Sequence, residues 1–511
     1  MKIHSLVKPA LRPMSATILL SNSTALRSSP ARHMTAIASN MPQMKREGNI
    51  SDSFASLSGG TAPLPERFLD LKKSLVAGHE DRVIASWQRL LAQLKQENRI
   101  LAREGSEVIP SLQFANLEED LTRLRSEIKK RGAVVIRGVI PENEARTYKS
   151  DIEEYVRQNP STKAFPQDNP QVFELYWSSP QVRARAHPNL LKVQSKLMNV
   201  WQLSNPGSSI SLSQTLAYAD RLRIRQPGDT KFALGPHVDG GSVERWEKNG
   251  YGLGGVYDKV FEGYWEEYDP WDASTRVSAN MDNYNGLGAC SMFRMFQGWL
   301  SMSHTKGFEG TLLVNPLLQL SSTYLLLRPF FKPVRESKDV SAEEYLAADN
   351  WVFAGSEMTS ELHGATLGKG QELNTDLHPH LELDTSMVHM PEVRPGDVVL
   401  WHCDTIHAVD KIHKGQSDSS VLYIPVCPVT EQNAQYLTRQ RKAFLDGTPA
   451  PDFPGGQGES QHVGRPTESY LRTHADSEGL RAFGFEKIAT AESDGPGARE
   501  AIRKVNEILG F

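Results

Sequence analysis

From about residue 205 onward, the chain consists of short runs rich in β-branched and aromatic residues, separated by Gly and Pro. The predicted strands cover residues 216–225, 298–303, 310–315, 324–328, 398–402 and 420–426. Neither GxGxxG after a strand nor GxxxxGK[ST] occurs, so the glycine loops that bind nucleotides are missing from the sequence. Short strands with irregular connections favour a sandwich or jelly roll over a doubly wound parallel sheet.

Helical periodicity dominates before that point. Apolar residues recur at helical spacing, and Gly132 ends one helix immediately before a run of buried character. The predicted helices cover residues 64–103, 117–131 and 141–158, and the predicted strand covers 133–139. The sequence therefore predicts an α+β fold in which helices flank a β core.

The composition excludes several classes of protein. The 57 basic and 61 acidic residues give a formal charge of −4, which argues against a nucleic-acid surface built on bulk positive charge. No run approaches the ~18 apolar residues of a membrane span. Cys290, Cys403 and Cys427 are too few and too widely spaced for a disulfide scaffold and suggest a reducing compartment. We expect a large intracellular globular enzyme.

The first 46 residues contain seven Lys or Arg and no Asp or Glu, with many Ser, Thr and Ala. This composition is typical of a mitochondrial transit peptide, and a disordered extension is the alternative. Later methionines, at positions 34, 41 and 44, would give a cytoplasmic form without the signal. Residues 47–63 have the composition of a linker.

These patterns divide the chain into four parts. Two stretches of the β domain look inserted, and long inserts are often lids or binding loops, although their aromatic residues could also be packed over the sheet. The parts are an extension and linker (1–63), a helical segment packed on the core (64–130), a β domain (131–430) with inserts at 257–285 and 334–392, and a helical C-terminal extension (431–511).

One His-x-Asp pair stands out from its context. With 15 His in the chain, chance predicts roughly one such pair, and four occur, so the pattern alone is weak. His237 and Asp239 follow a predicted strand and a turn and precede two glycines. On an extended segment, two residues at this spacing project from the same face. An imidazole and a carboxylate placed in this way can bind one metal ion.

The segment 395–407 supplies a third ligand. It is a turn followed by a strand that ends in polar residues, and His407 at its far end is the candidate ligand. One alternative is that His402, Asp404 and His407 bind a metal by themselves, which would require a bulge in the strand. Two His and one carboxylate form the facial triad of non-haem Fe(II) oxygenases, which leaves the opposite positions of the metal open.

The motifs follow one another in a defined order along the chain. A strand and helix over 132–158 come first, then the His-x-Asp pair, a Gly-Thr-Leu strand at 310–312, and the Pro-Gly-Asp…His segment. This order resembles the Fe(II)/2-oxoglutarate-dependent oxygenases, particularly the phytanoyl-CoA hydroxylase-like branch. The phrases at 235–246 and 420–425 resemble a microbial domain-of-unknown-function family within that superfamily. The resemblance covers about residues 65–455.

The resemblance implies a double-stranded β-helix (jelly-roll, clavaminate synthase-like) core with flanking helices. It also implies that oxidative decarboxylation of 2-oxoglutarate is coupled, with O₂, to hydroxylation of a second substrate. By position, His237, Asp239 and His407 match the Fe(II) ligands of the family.

The chain departs from the family at the site that anchors the co-substrate. Related sequences often carry an Arg ten to fifteen residues after the second His, and residues 411–422 contain none. Arg294, Lys306 and Ser420 are our candidates to bind 2-oxoglutarate, since guanidinium and hydroxyl groups suit a carboxylate. Three alternating arginines, at positions 221, 223 and 225, either bind an acidic substrate or are salt-bridged on a solvated face.

The sequence leaves two other functions open. The same metal ligands suit a cupin-like isomerase or a zinc hydrolase, because zinc can activate a water molecule. A non-catalytic binding protein on this scaffold is the third possibility, since fold does not fix function. We expect a small-molecule substrate and no nucleic-acid partner; the sequence predicts neither the identity of that substrate nor the oligomeric state.

Overall fold

Helices alternate with short strands along most of the chain. The computed structural model describes residues 53–58, 63–230, 233–287, 290–453 and 455–511. Within these ranges the helices are α1 (Ala55–Ser58), α2 (Arg67–Val76), α3 (Glu80–Glu104), α4 (Leu117–Arg131), α5 (Glu142–Gln158), α6 (Ser179–Arg185), α7 (Pro188–Met198), α8 (Asp258–Phe261), α9 (Leu318–Leu327), α10 (Ala342–Tyr345), α11 (Leu383–Ser386), α12 (Glu431–Asp446), α13 (Glu468–His474), α14 (Ser477–Ala482) and α15 (Pro496–Leu509).

The strands are mostly two to six residues long. They are β1 (Ser111–Gln113), β2 (Ala133–Arg137), β3 (Ala164–Phe165), β4 (Val172–Phe173), β5 (Ser211–Leu216), β6 (Leu222–Arg225), β7 (Leu234–Val238), β8 (Phe296–Ser301), β9 (Leu312–Val314), β10 (Phe331–Pro333), β11 (Trp351–Phe353), β12 (Gln371–Glu372), β13 (Val388–His389), β14 (Val398–His402), β15 (His407–Val409), β16 (Ser419–Tyr423) and β17 (Cys427–Val429).

Two sheets form the centre of the described part of the chain. An eight-stranded sheet has the order β1-β2-β14-β8-β16-β6-β4-β3, and a five-stranded sheet has the order β12-β7-β15-β9-β13. The pairs β10-β11 and β5-β17 form two small separate sheets. Apart from the parallel pair β1-β2, neighbouring strands are antiparallel. The predicted α+β class is confirmed.

The eight-stranded sheet is buried on both faces. Val135 and Val399 share one apolar core with Val238 and Val314 of the five-stranded sheet. Their neighbours in β2 and β14, such as Val134, point to the other face and pack with residues of α4, α5 and α7. Because helices cover one face and a second sheet covers the other, β2 and β14 consist almost entirely of apolar residues, as a strand buried on both sides requires.

The predicted helix over 117–131 is confirmed, and Gly132 ends it in the left-handed conformation with φ 67°. A Cβ at Gly132 would lie 2.8 Å from Oγ1 of Thr405 and 2.9 Å from Cβ of Leu318. The carbonyl of Gly132 also accepts hydrogen bonds from the backbone N–H of His402 and from Oγ1 of Thr405. This turn therefore packs directly against the segment that leads to His407.

The predicted strand over residues 324–328 is wrong. Residues 324–327 belong to α9, and Arg328 begins the 3₁₀ turn that follows it. Eight of the ten residues of α9 are buried, so the helix is enclosed on nearly all sides and its sequence shows no helical periodicity. A short apolar run of this kind cannot be assigned from periodicity alone.

The two stretches that look inserted differ from each other. In 257–285, the side chains of Tyr257, Trp265 and Trp271 are buried, so this stretch packs into the interior. The stretch 334–392 contributes β12 and β13 to the five-stranded sheet. Of these, β12 pairs with β7, with Glu372 opposite His237.

Most of the predicted transit peptide and linker lies outside the described residues, and so does the prediction of mitochondrial localisation. The short stretch 53–58 is described. Phe54 and Ala55 are buried there, and Phe54 packs against His237. Part of the segment with linker composition is thus folded onto the β core.

Candidate metal centre

The side chains of His237, Asp239 and His407 meet where β7 ends and β15 begins. The register pairs His407 directly with His237, and the two ring centroids are 4.1 Å apart. Nε2 of His237 lies 3.4 Å from Oδ1 of Asp239, and Nε2 of His407 lies 3.7 Å from Oδ2. The three predicted ligands are therefore brought together, with one ligand atom from each within 4.8 Å of the others.

Backbone carbonyls orient both imidazoles. Nδ1 of His237 is 2.7 Å from the carbonyl oxygen of Gly235, and Nδ1 of His407 is 3.0 Å from that of Thr405. A carbonyl oxygen can only accept, so each Nδ1 carries the proton and each Nε2 presents a lone pair. Burial and the neighbouring His237 lower the pKa of His407, which favours its neutral form.

The donor set fits a divalent metal ion. The carboxylate of Asp239 lies beside the Nε2 atoms of both imidazoles. A carboxylate thus faces two imidazole lone pairs with no proton between them, and a cation relieves this repulsion. Two ligand atoms that each lie about 2.1 Å from a metal, with a right angle between the two bonds, are roughly 3 Å apart. The distances from Nε2 to the carboxylate oxygens, 3.4 and 3.7 Å, are slightly longer.

In the alternative ligand set, His402 and Asp404, at and after the end of β14, make other hydrogen bonds. Nε2 of His402 lies 2.9 Å from the carbonyl oxygen of Pro270, and its Nδ1 accepts from the backbone N–H of Asp404. Both carboxylate oxygens of Asp404 accept from buried arginines, Arg245 at 2.8 Å and Arg276 at 2.5 Å. These bonds use both ring nitrogens of His402 and both carboxylate oxygens of Asp404, and His407, the third residue of the alternative set, lies with His237 and Asp239; His402, Cys403 and Asp404 also lie close enough to one another to hold an ion.

A cavity of about 120 Å³ opens beside His237, Asp239 and His407. Its wall is a mixture of apolar side chains and arginines. Arg294 lines it and lies 4.0 Å from Oδ2 of Asp239, which is its one ion pair among the described residues. The residues that line the cavity include Phe54, Arg221, Arg223, Leu234, Arg294, Val409 and Tyr423.

Arg223 is buried in the wall of this cavity with few partners. Its exposure is 3%, and its Nη2 donates to the carbonyl oxygen of Gly310 at 3.0 Å. Nε of Arg223 has no hydrogen-bond partner in the described part of the chain. A buried guanidinium carries five N–H donors, so most of its capacity here is unused. This is the feature expected of a site for an anionic ligand.

Arg225 on β6 and Arg221, which comes just before that strand, are both paired with carboxylates. Nε of Arg225 lies 2.8 Å from Oδ2 of Asp229. Arg221 lies 3.8 Å from Glu174 and 3.4 Å from Asp220. The predicted salt bridges therefore exist for Arg221 and Arg225, but Arg225 is buried and Arg221 is partly buried, so neither lies on a solvated face.

Two predicted co-substrate residues lie away from the cavity. The side chain of Lys306 is 63% exposed and lies 4.0 Å from Glu309. Ser420 is buried, and its hydroxyl donates to Oδ2 of Asp418. Of the three candidates, only Arg294 lines the cavity. Sequence reasoning did not single out Phe54, because nothing in a Ser-rich stretch marks one aromatic residue as part of a site.

In the part of the chain that the structure describes, no helix is both long and apolar enough to cross a membrane.

Comparisons with known proteins place this fold and site in a family. Over 404 residues, 76% of this chain and 88% of the relative, the sequence is 30% identical to the uncharacterised protein YbiU of Escherichia coli (strain K12). The crystal structure of GlcNAc Inducible Gene 2, GIG2 (DUF1479), from Candida albicans superposes with a TM-score of 0.77 and 31% identity, covering 88% of this chain and 97% of that one.

A second solved structure is also similar to this chain over most of its length. The hypothetical protein JW0805 from Escherichia coli superposes with a TM-score of 0.68 and 29% identity, covering 83% of this chain and 98% of that one. The family model that matches is Gig2-like, and it matches residues 62–485. Since this match includes both sheets and all three predicted metal ligands, the chain belongs to the Gig2-like family.

Proposed function

We propose that this protein is a non-haem Fe(II) oxygenase that uses 2-oxoglutarate as co-substrate and hydroxylates a small molecule. The observation that carries the proposal is the cavity shared by the His237–Asp239–His407 cluster and the under-bonded guanidinium of Arg223. A metal site and a buried cation with unused donors, side by side, suit a ligand that joins a metal-binding oxoacid group to a distal carboxylate.

The strand order supports the finer assignment of the fold as a double-stranded β-helix. In the eight-stranded sheet, four central neighbours follow the order β14-β8-β16-β6, and the facing sheet contains β7-β15-β9-β13. Three of the four strands of the first set lead along the chain to one of the second: β6 to β7, β8 to β9 and β14 to β15. This repeated crossing between two facing sheets is the pattern of a jelly roll.

The roles of the chain's own residues follow from their contacts. His237, Asp239 and His407 would hold the iron on one side, and the carbonyls of Gly235 and Thr405 fix the tautomers of the two imidazoles. Arg223 would bind the distal carboxylate, and Arg294 would add positive charge beside Asp239. With O₂, the bound iron supplies the oxidising chemistry that converts 2-oxoglutarate to succinate and CO₂ and hydroxylates the second substrate.

The position of Arg223 explains how the chain can do without an Arg after His407. In β16, the strand that follows His407, Val421 pairs in register with Arg223 of β6. A guanidinium on β6 therefore reaches the neighbourhood that an Arg on β16 would reach. The proposed anchor for the distal carboxylate is thus on β6 instead of β16, and it would face the same cavity.

Anaerobic titration of the purified protein with Fe(II) and then 2-oxoglutarate tests the proposal. We expect one iron per chain and a weak visible charge-transfer band when the oxoacid is added. His237→Ala and His407→Ala should weaken iron binding by about 100-fold or more and abolish the band, because each removes a ligand. His304→Ala is the matched control, because this exposed imidazole pairs with Glu392 at the surface.

The outcomes separate the competing functions. Iron binding without the band would favour the cupin-like isomerase or hydrolase, because the metal would be present without the co-substrate. A protein that binds no metal would be a binding protein on this scaffold. Identical behaviour of His237→Ala and the wild type would contradict the proposed site.

A further inference from the structure

The ring of Phe54 occupies an apolar socket next to the metal ligands. It meets the ring of His237 edge-on, with centroids 4.8 Å apart and an angle of 73° between the planes. Val172 packs with it in one cluster, together with the partly buried side chains of Phe165, Leu234 and Val409. Phe54 itself is 4% exposed. A ring-sized apolar site therefore lies within contact distance of His237.

The segment that carries Phe54 lies against β12 and the residue before it. The backbone N–H of Gly370 donates to the carbonyl oxygen of Ser53 at 2.9 Å. Ser56 donates to the carboxylate of Glu372 from its backbone N–H, at 3.0 Å, and from its hydroxyl. Ser56 and Leu57 are exposed. The segment thus lies on the edge strand of the five-stranded sheet and inserts one large side chain.

The space that remains in the cavity is small. About 120 Å³ is open with Phe54 in its socket, whereas sites for small molecules and cofactors measure roughly 300–1,000 Å³. An oxygenase of this kind must hold an oxoacid and a second substrate at the same metal. Removal of the Phe54 ring would enlarge the cavity without a change in either sheet.

We infer that the socket beside His237 is the subsite for an apolar, ring-sized group of the primary substrate, and that residues 53–58 leave it when that group binds. The inference rests on the proposed function, since it places the substrate next to the proposed metal. It predicts a substrate that carries an aromatic or similarly compact apolar group and whose reacting carbon lies near His237. Phe54 closes the subsite until such a group displaces it.

The test uses the full chain and 4-fluorotoluene as the probe. Binding is measured by ¹⁹F NMR, and backbone hydrogen exchange of residues 53–58 is measured with and without the probe. In the wild type, we expect exchange in this segment to rise as the probe saturates, because the ring displaces Phe54. Phe54→Ala should bind the probe at least about tenfold more tightly, because no side chain has to leave the apolar socket. Leu57→Ala, in the same segment but exposed, should behave as the wild type.

A second variant perturbs the segment without emptying the socket. A Cβ at Gly370 would lie 2.8 Å from Cε1 of Phe54, so Gly370→Ala should push the ring outward. We expect faster exchange of residues 53–58 in this variant and tighter probe binding, although Phe54 is still present.

Unchanged exchange of residues 53–58 in the wild type at saturating probe would overturn the inference, because Phe54 would then be permanent packing. Equal probe affinity of wild type and Phe54→Ala would overturn it as well. The charge-transfer band of the Fe(II)–2-oxoglutarate titration is measured on the same samples. If the band is absent but the probe still displaces Phe54, only the proposed function is contradicted. If the band forms but the probe does not displace Phe54, only the subsite is contradicted.

Discussion

Under the proposed function, replacement of Arg223 should weaken co-substrate binding and leave metal binding intact. Arg223→Met keeps an apolar stem of similar length but removes the guanidinium that faces the cavity. Losing one partner of a buried charged contact costs about 2–5 kcal/mol, so we expect 2-oxoglutarate to bind about 30-fold more weakly or worse. Fe(II) affinity should change by less than about threefold, because Arg223 contacts none of the three ligands. Anaerobic titration measures both affinities.

Lys306→Met is the control for this prediction. Lys306 carries the same charge, but its side chain is exposed and lies outside the cavity. It should leave both affinities unchanged. If Lys306→Met weakened 2-oxoglutarate binding as much as Arg223→Met, the effect would come from the overall charge of the protein, and Arg223 would not be the anchor.

The cluster of His237, Asp239 and His407 could be predicted from the sequence, but the proposed anchor Arg223 could not be distinguished from its neighbours. A His-x-Asp after a strand and a His at the end of a later strand leave local signals that strand geometry converts into a shared site. Arg223 lies in a strand where apolar and charged residues alternate, and the same alternation is typical of a strand with one solvated face. Its burial comes from β4 and β16, which flank β6 on either side. Those neighbours are distant in sequence.

At the scale of elements, one buried ion cluster ties together the two segments that carry the ligands. Asp404 lies in the turn between β14 and β15, is 3% exposed, and accepts from Arg245, Arg276 and the hydroxyl of Tyr257. Arg245 also donates from Nη2 to the carbonyl oxygen of Asp239 at 3.1 Å. The turn before His407 and the backbone of Asp239 are thus held by the same guanidinium.

Asp404→Asn should therefore destabilise the fold by about 3–5 kcal/mol, because it leaves two buried guanidiniums without their counter-charge. Urea unfolding at pH 7 measures the loss, and iron affinity should fall with it because the ligands lose their common support. Glu266→Gln breaks an exposed pair with Arg89 and should change the free energy of unfolding by no more than about 1 kcal/mol. Equal stability of both variants would contradict this role of Asp404.

The same cluster predicts how stability depends on acid. Burial alone would raise the pKa of Asp404, but Arg276 and Arg245 hold it well below its usual range. A carboxyl group whose pKa is lowered by folding contributes stability above its unfolded value of about 3.9 and loses it as pH falls toward the folded value. The difference in stability between wild type and Asp404→Asn should accordingly shrink as the pH falls below about 4.

Elements with local signals were predicted, and those defined by distant contacts were not. The helix α4 ends at a glycine, and β2 is a run of buried residues, so both are visible in the sequence. The strands β12 and β13 have two residues each and no periodicity. Only their pairing with β7 and β9 makes them strands.

For the whole molecule, the N-terminal helices share one core with the sheets. Phe68 of α2 and Val83 of α3 belong to the same apolar cluster as Val238 and Val399. The ring of Trp87 stacks on Phe331, with centroids 4.3 Å apart. A boundary between residues 130 and 131, which the sequence suggests, therefore does not correspond to a gap in the packing.

Two shortened chains test whether these helices belong to the folding unit. A chain beginning at Pro63 lacks Phe54 but keeps α2 and α3, and it should melt cooperatively near the wild-type temperature.

A chain beginning at Gly105 lacks the apolar side chains that α3 buries. At about 1.5–3 kcal/mol each, the loss of these six apolar side chains is as large as the 5–15 kcal/mol that stabilises a typical protein. We expect this chain to show no cooperative thermal transition by circular dichroism and to elute as aggregate. A sharp melt of the shorter chain would instead make residues 64–104 a separable layer on an independently folded β core. The buried side chains of α3 are Val83, Ser86, Trp87, Leu90, Leu91, Leu94, Asn98 and Leu101.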